Sequence, residues 1–259
     1  MHQLSTRIKT IRNRTMLAVI AFIVAIYISD STRVSDLEKV TSRGQLVMLT
    51  LPGATTYFED GDGKNGFEYL LAKAFADSLG VRLTVTTKST LPSLLLSVGG
   101  PQGDFAAANL AKTPDREKSF RFSIPYHQMI QQLIYRAGNK RPKSLAELEG
   151  NLVVITGSSH SENLQKLSNQ IPDLNWTEEK GAEVSEMIRK VHDGEINYTV
   201  ADSLAFDINR HIYPNARKAF DISTPQPIAW VFPNHGDGSL LKRSEEHTSE
   251  LQSPDHLVC

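Results

Sequence analysis

The chain reads Asp104-Phe105-Ala106-Ala107-Ala108-Asn109-Leu110-Ala111-Lys112-Thr113-Pro114-Asp115-Arg116 at its clearest junction between a strand and a helix. The small and apolar residues from 104 to 109 predict a buried strand. Thr113 can then cap a helix, because its hydroxyl accepts a backbone N–H and Pro114 suits the first helical position. This places Arg116 beyond the carboxyl end of a strand, where open α/β sheets bind ligands.

Strands and helices alternate on both sides of this junction. The predicted strands are 45–51, 81–87, 104–109, 131–136, 152–156, 175–177, 196–201, 218–221 and 228–232. The predicted helices are 34–40, 67–79, 92–98, 144–149, 159–169, 184–192 and 202–211. Such alternation predicts an α/β fold with parallel sheets that helices cover on both faces.

The alternation divides into two blocks, which predict two lobes within one domain of residues 36–242. Lobe 1 is expected at 44–130 together with 226–242, and lobe 2 at 131–225. No linker rich in proline or serine separates the blocks. Extended crossovers near residues 130 and 225 are therefore expected to join the lobes.

The two termini differ in character from this domain. Basic residues precede an apolar run from Met16 to Ile28, which predicts a signal peptide or an uncleaved N-terminal anchor at 1–30. As a helix the run would span about 20 Å, which is short for a membrane span. Residues 243–259 resemble translated sequencing-adapter sequence and are expected to be a non-native tail. A tail in place of the last helix predicts one bare sheet face in lobe 1 and poor solubility.

Composition and charge exclude several classes of function. The formal net charge of −1 does not favour binding to nucleic acid, which requires a basic face. The only cysteine is Cys259, so neither an intramolecular disulfide nor a site of several thiolates is expected. The histidines lack the spacing of metal ligands, and the loop at 60–66 lacks the spacing of a calcium loop. We therefore expect no metal and no cofactor.

Three strand ends carry residues that suit a ligand with one negatively and one positively charged group. Arg116 can bind a carboxylate through its planar fork, although a lone arginine is more often a solvated loop residue. Ser158 and Ser159 open a helix whose free N–H groups favour an anion, although ordinary capping is the commoner case. Asp202 can meet an ammonium or cap the helix that follows. Together the three positions supply what an amino acid requires.

This arrangement resembles the amino-acid type of periplasmic solute-binding domain, over residues of about 36 to 237. The resemblance implies a two-lobed, type II periplasmic-binding-protein-like fold with a ligand cleft between the lobes. It also implies that Arg116 binds the ligand carboxylate and Asp202 the amine, with Thr113 as a further ligand-binding residue and Tyr57 as an aromatic neighbour. The matching runs are Gly66-Phe67-Glu68-Tyr69-Leu70-Leu71-Ala72, Lys112-Thr113-Pro114-Asp115-Arg116, Phe122-Ser123-Ile124-Pro125-Tyr126, Thr156-Gly157-Ser158-Ser159 and Val200-Ala201-Asp202-Ser203.

A closer resemblance is to the N-terminal, non-catalytic half of the membrane-bound lytic murein transglycosylase F family. It rests on Arg43-Gly44-Gln45-Leu46, Gln131-Gln132-Leu133-Ile134-Tyr135-Arg136, Tyr198-Thr199-Val200-Ala201-Asp202-Ser203, Asp221-Ile222-Ser223 and Gln226-Pro227-Ile228-Ala229-Trp230. In that family a second domain cleaves murein glycan strands to 1,6-anhydromuramoyl products. The resemblance implies a periplasmic location peripheral to the outer membrane. We interpret Glu162 as a surface helix residue, and we assign no catalytic residue to this chain.

The sequence therefore predicts a regulatory module that binds an amino acid or a peptidoglycan-derived peptide. Its wider partners would be peptidoglycan, through the second domain, and the membrane. The alternative is a free-standing periplasmic amino-acid-binding protein of an ABC importer. A stand-alone enzyme would require an acid/base pair that these residues do not indicate.

Overall fold

The structure, a computed structural model, describes residues 34–61 and 63–252. The predicted export segment at 1–30, Asp62 and the last residues of the predicted tail, 253–259, lie outside this range. Two five-stranded sheets form two lobes. Among the residues that the structure describes, none of the helices has the length and apolar content that a membrane crossing needs.

Lobe 1 is formed by the first part of the chain and by its return after lobe 2. Its strands are β1 (Gln45–Thr50), β2 (Phe58–Asp60), β3 (Gly63–Asn65), β4 (Arg82–Thr87), β5 (Phe105–Ala106), β6 (Phe120–Phe122) and β14 (Val231–Pro233). Its helices are α1 (Asp36–Arg43), α2 (Phe67–Ser78), α3 (Leu91–Ser97), α4 (Pro114–Glu117) and α8 (Ser239–Gln252). The main sheet has the order β4-β1-β5-β14-β6, and β2 pairs with β3 in a separate hairpin.

Lobe 2 has a sheet of the order β10-β9-β11-β8-β12. Its strands are β8 (Gln131–Arg136), β9 (Leu152–Ile155), β10 (Thr177–Glu179), β11 (Tyr198–Asp202) and β12 (Ala216–Asp221). A 3-10 turn (Leu145–Glu147) precedes β9, and the helices are α5 (Ser159–Ser168), α6 (Val184–Asp193) and α7 (Ser203–Asn209).

Two short strands connect the lobes. β7 (His127–Met129) carries the chain from lobe 1 to lobe 2, and β13 (Gln226–Ile228) carries it back. They pair antiparallel, with Met129 opposite Gln226 and His127 opposite Ile228. The crossovers expected near residues 130 and 225 correspond to this pair of strands, which we call the hinge.

Each sheet has a hydrophobic core on both faces, because successive strand residues point to opposite sides. In β8, Leu133 packs in one core of lobe 2 and Ile134 in the other. In β1, Met48 packs with Phe75 and Trp230, whereas Leu49 packs with the residues around α3. Both sheets are therefore covered on both sides, as the alternating pattern predicts.

The sheets are mixed, so the prediction of parallel sheets is wrong in part. β1 runs parallel to β4 and β5, but β14 runs antiparallel to β5 and β6. In lobe 2, β9 runs parallel to β10 and β11, whereas β8 runs antiparallel to β11 and β12. The antiparallel strands are those next to the crossovers, where the chain enters each sheet from the other lobe.

Several element boundaries also differ from the prediction, among them the following three. The strand expected at 104–109 is a strand only at Phe105–Ala106, and the chain turns at Asn109, whose φ is 50°. The strand expected at 228–232 is two strands in different sheets, β13 and β14. The short strand expected at 175–177 lies at Thr177–Glu179.

Helix α8 covers the face of lobe 1 that was expected to be bare. It extends from Ser239 to Gln252 and buries Leu240, Ser244, His247 and Thr248. These residues recur at helical spacing, although three of them are polar, which is why the sequence shows no apolar period. The His247 ring lies 5.6 Å from that of Phe75 in α2. The origin of residues 243–259 stays a prediction.

Candidate functional site

A cavity of about 630 Å³ lies between the lobes. Its walls are the loops and helix ends that follow β1, β4 and β5 in lobe 1 and β9, β10 and β11 in lobe 2. Met129 of the hinge forms part of the wall. This volume is within the range of small-molecule sites, roughly 300 to 1,000 Å³. Of the predicted site residues, Arg116, Ser158, Ser159 and Asp202 line the cavity.

Arg116 reaches the cavity from the short helix α4. Thr113 caps this helix as predicted, because its hydroxyl accepts the Arg116 N–H at 3.3 Å and Pro114 follows it. The guanidinium is 5% exposed and contacts both lobes. Nη1 donates to Ala111 O of lobe 1 at 3.2 Å, and Nη2 donates to Gly157 O of lobe 2 at 3.3 Å. Arg116 therefore already joins the two lobes.

Glu162 is the charged partner of Arg116. Its Oε1 lies 3.1 Å from Arg116 Nε, and its Oε2 accepts a hydrogen bond from the Thr113 hydroxyl at 2.8 Å. Burial lowers the pKa of Arg116, while the negative charges of Glu162 and Asp202 act in the opposite direction. The interpretation of Glu162 as a surface residue is wrong, because its carboxylate faces lobe 1. Thr113 contacts Glu162 and lies outside the cavity wall.

Asp202 stands at the carboxyl end of β11, immediately before α7. It is the N-cap residue, yet its side chain makes no capping hydrogen bond, so its carboxylate faces the cavity. Its Oδ1 lies 3.2 Å from His160 Nε2. His160 is 3% exposed, also lines the cavity, and has no aligned hydrogen bond at either ring nitrogen within the described residues.

Ser158 and Ser159 lie at the start of α5. Ser158 is the N-cap, and its hydroxyl accepts the Ser161 N–H at 3.2 Å. The Ser159 hydroxyl accepts a hydrogen bond from Gln131 Nε2 at 3.2 Å. Gly157 has φ 69° and packs against Pro92 of the other lobe, which lets the turn reach the cavity. The N–H groups at the start of α5 point toward this wall and give it a positive potential.

Tyr57 is placed away from the cavity. It is 8% exposed, its ring lies 5.5 Å from that of Tyr69, and its hydroxyl donates to Glu59. Burial and this hydrogen bond raise the pKa of Tyr57 to about 12. The residues of this region that do line the cavity are Leu51 to Thr56. The role of Tyr57 as an aromatic neighbour of the ligand therefore stays a prediction, and its side chain does not line the cavity.

A buried carboxylate, Glu68, organises the lobe 1 side of the cavity from behind. It is fully buried and accepts hydrogen bonds from Asn109 N at 2.7 Å, from Trp230 Nε1 at 2.9 Å and from the Tyr126 hydroxyl. Burial raises the pKa of Glu68, and the three hydrogen bonds partly offset this effect. Asn109 lines the cavity, while Tyr126 and Trp230 flank the two hinge strands. Glu68 thus ties the cavity wall to the hinge.

The sequence did not reveal Glu162, His160, Asn109 or Glu68 as parts of this site. The turn Gly157-Ser158-Ser159 pointed to the start of α5, and the helical spacing of residues 158 and 162 was the available signal for Glu162. Nothing local indicates the partners of Glu68, because its contacts come from distant parts of the chain. No group of three or more His, Cys, Asp or Glu side chains within residues 34–61 and 63–252 is arranged to hold a metal ion.

The lobes are joined by a two-stranded hinge, and residues of opposite charge face each other across the cavity between them. These features define a two-lobed, type II solute-binding domain. The sequence comparison places the chain more narrowly. It belongs to the family described as bacterial extracellular solute-binding proteins, family 3, which matches residues 49–252. The prediction of this fold class is confirmed.

Solved structures of similar fold support the same conclusion. Holo ArgBP from T. maritima has a TM-score of 0.74 and 22% identity, over 85% of this chain and 96% of that one. An amino acid ABC transporter substrate-binding protein, AbpA, from Streptococcus pneumoniae Canada MDR_19A, bound to L-arginine, has a TM-score of 0.73 and 20% identity. That match covers 85% of this chain and 94% of the other. At this identity, these likenesses establish the fold alone.

Relatives of higher identity are named membrane-bound lytic murein transglycosylase F. The one from Saccharophagus degradans is 39% identical over 249 residues, which cover 96% of this chain and 50% of the relative. The one from Yersinia enterocolitica is 33% identical over 98% of this chain and 53% of the relative. The chain therefore corresponds to the N-terminal part of these proteins and spans about half their length.

Proposed function

We propose that this chain is the ligand-binding, regulatory module of a peptidoglycan lytic transglycosylase. In this proposal, the catalytic domain lies in the half of the relatives that the chain does not span. That domain would cleave murein glycan strands to 1,6-anhydromuramoyl products. The names and lengths of the relatives support the proposal. The module would bind an amino acid or a peptidoglycan-derived peptide.

The observation that carries the proposal is the set of charged groups at the cavity. Arg116, from lobe 1, suits a carboxylate because guanidinium N–H groups make charge-assisted hydrogen bonds to its oxygens. Asp202, from lobe 2, suits an ammonium group because its carboxylate is not used for helix capping. Ser158, Ser159 and the N–H groups at the start of α5 suit a second carboxylate oxygen. A ligand that bridges these groups contacts both lobes.

Binding would be communicated through the hinge. A ligand in the cavity favours the conformation in which the lobes are closed, since only that conformation offers both sets of contacts. The pairing of β7 with β13 allows rotation at two short segments. In the proposed setting, the module acts in the periplasm, peripheral to the outer membrane, with peptidoglycan bound by the other domain.

Isothermal titration of the full chain with free amino acids and with stem peptides tests this proposal. We expect Arg116→Ala and Asp202→Asn each to reduce the affinity roughly 30-fold or more, because each removes a charged partner of the ligand. Glu149→Gln is the matched control, since Glu149 is an exposed lobe 2 residue away from the cavity. Equal affinities of wild type and Arg116→Ala would remove Arg116 from the site.

The second candidate is a free-standing amino-acid-binding protein of an ABC importer. The printed descriptions of the structural neighbours, which include an ABC transporter substrate-binding protein, support it. The gene sequence beyond the codon for Lys242 distinguishes the two. Continuation into a further domain with a helix-borne glutamate favours the transglycosylase module, and a stop within about 30 codons, too few for another domain, favours the importer.

A further inference from the structure

The Glu162 carboxylate crosses from lobe 2 to lobe 1. It lies in the first turn of α5, and both of its oxygens contact lobe 1 residues. Oε1 is 3.1 Å from Arg116 Nε, and Oε2 is 2.8 Å from the Thr113 hydroxyl. The side chain is 24% exposed, and that of Arg116 is 5% exposed. This is a partly buried ion pair between lobes, and removing one partner of such a pair leaves the other charge uncompensated.

The contacts of Glu162 have the same chemistry as those expected for a ligand carboxylate. The guanidinium lies in ion-pair contact with one oxygen, although Nε makes no aligned hydrogen bond to any residue that the structure describes, and a hydroxyl donates to the other oxygen. Arg116 is buried, and burial of an unpaired cation is costly, so it requires an anion whether or not a ligand is bound. Glu162 supplies that anion from within the chain.

The contacts exist only when the lobes are together. Thr113 and Arg116 lie between β5 and β6 of lobe 1, whereas Glu162 belongs to α5 of lobe 2. The Arg116 Nη2 hydrogen bond to Gly157 O also crosses the cleft. A Cβ atom on Gly157 would lie 3.2 Å from Pro92 of lobe 1, so the lobes are closely packed at this point. Opening the cleft would break all of these contacts at once.

We propose that Glu162 acts as an internal substitute for a ligand carboxylate, which binds Arg116 and stabilises the closed lobes when no ligand is present. The part of this inference that concerns the ligand rests on the proposed function, because it takes Arg116 as the carboxylate site. A ligand carboxylate then competes with Glu162 for the guanidinium. Ligand occupancy would exchange one carboxylate for another at Arg116, and the ligand's contacts with both lobes would then stabilise the closed conformation in place of Glu162.

The distance between the lobes in the ligand-free protein tests this inference. Spin labels at Leu96→Cys in α3 and Ile212→Cys after α7 would report it, because both residues are highly exposed and belong to different lobes. Cys259→Ser provides the background, since Cys259 is the only native cysteine. The full chain would be purified in mild detergent, unfolded in urea, dialysed to remove any bound ligand and refolded. Electron–electron resonance then gives the distance distribution.

We expect the wild type to show mainly the short distance. Glu162→Gln, which keeps the shape and removes the charge, should lower the ratio of closed to open molecules roughly tenfold. Glu149→Gln is the matched control and should leave the distribution unchanged. Glu162→Asp is a second variant that keeps the charge but is too short to reach both lobe 1 partners, so it should shift the distribution in the same direction. Distributions identical to the wild type in both Glu162 variants would overturn the inference.

Titration with L-arginine and with L-argininamide, which lacks the carboxylate, separates this inference from the proposed function. If Glu162 competes with a ligand carboxylate, Glu162→Gln should raise the affinity for L-arginine more than that for the amide. If no amino acid or stem peptide binds but Glu162→Gln still opens the lobes, the interlobe ion pair stands and the proposed amino-acid site fails. If L-arginine binds through Arg116 but the distances between the spin labels are the same in the wild type and in the Glu162 variants, the proposed site stands and the role of Glu162 fails.

Discussion

Arg116 and Glu68 are both buried charged side chains of lobe 1, but their partners differ in kind. Glu68 is bound by three donors, Asn109, Tyr126 and Trp230, which all belong to lobe 1 or to its junction with the hinge. Arg116 is bound by Ala111 on its own side and by Gly157 and Glu162 across the cleft. The partners of Glu68 stay in place when the lobes move apart, whereas those of Arg116 change.

This difference separates a buried ionisable group that maintains the fold from one that is available for function. A buried group whose partners are all fixed contributes to stability in every conformation. A buried group whose partners lie on another rigid body is stable in one conformation only, and a ligand can replace those partners. Burial alone does not distinguish the two cases. The two cases are distinguished by whether the partners of the buried group lie on the same lobe or across the hinge.

The largest expected effect is the loss of stability in Glu68→Ala. The substitution leaves the Asn109 N–H, the Trp230 indole N–H and the Tyr126 hydroxyl without their acceptor in a closed core. We expect the free energy of unfolding to fall by about 3 kcal/mol or more. Arg116→Met should reduce it by about 1 kcal/mol or less, because Glu162 keeps its hydrogen bond to Thr113 and is partly hydrated.

Urea denaturation of the full chain measures both values. Glu149→Ala, an exposed lobe 2 substitution, controls for the loss of a carboxylate anywhere in the chain. Equal losses in Glu68→Ala and Arg116→Met would contradict the distinction between a structural and a functional buried charge.

Sequence patterns predicted the features that depend on neighbours along the chain. β8 was predicted with the bounds that the structure shows, and the Thr113 cap and Pro114 were predicted from adjacent residues. The two lobes and the crossovers followed from the alternation of elements. The division of Gln226 to Pro233 into two strands of different sheets was not predicted, because an apolar run does not show which sheet receives it.

The unpredicted parts of the site depend on contacts between distant residues. Trp230 and Glu68 are 162 positions apart, and Thr113 and Glu162 are 49 positions apart. Each of these side chains is ordinary within its own segment: Glu162 is an acid in a first helical turn, where acids are common. Only the packing of the lobes brings them together, so no local pattern could identify Glu162 as the partner of Arg116.

The next expected effect is smaller than that of Glu68→Ala, and it concerns how the free energy of unfolding of Glu68→Gln depends on pH. Burial raises the pKa of Glu68 in the folded state, so the fold favours the protonated form. The resulting stability is fully present below the unfolded pKa of about 4.3 and is lost as the pH rises through the raised folded value. Each pKa unit by which the folded value exceeds the unfolded value corresponds to about 1.4 kcal/mol of stability.

Gln cannot titrate, so Glu68→Gln should be less stable than the wild type near pH 4, and the difference should shrink as the pH rises. Denaturation midpoints measured between pH 4 and pH 8 give the two curves. Glu149→Gln should run parallel to the wild type throughout. Parallel curves for Glu68→Gln and the wild type would show that Glu68 has an ordinary pKa and is not the fully buried group described.

The smallest expected effect concerns His247, a buried polar side chain of lobe 1 in the segment whose packing the sequence did not suggest. Burial and the nearby charge of Arg243 lower its pKa, whereas Glu250 acts to raise it. The fold thus favours neutral His247, and its stabilising effect is complete above the unfolded pKa of about 6.5 and is lost as the pH falls through the lower folded value. Partial solvent screening keeps the effect below about 1 kcal/mol.

In His247→Phe, which keeps a ring against Phe75, the melting temperatures at pH 7.5 and pH 5.5 should differ less than those of the wild type. An unchanged difference would contradict the lowered pKa of His247, and with it the burial of this ring against Phe75.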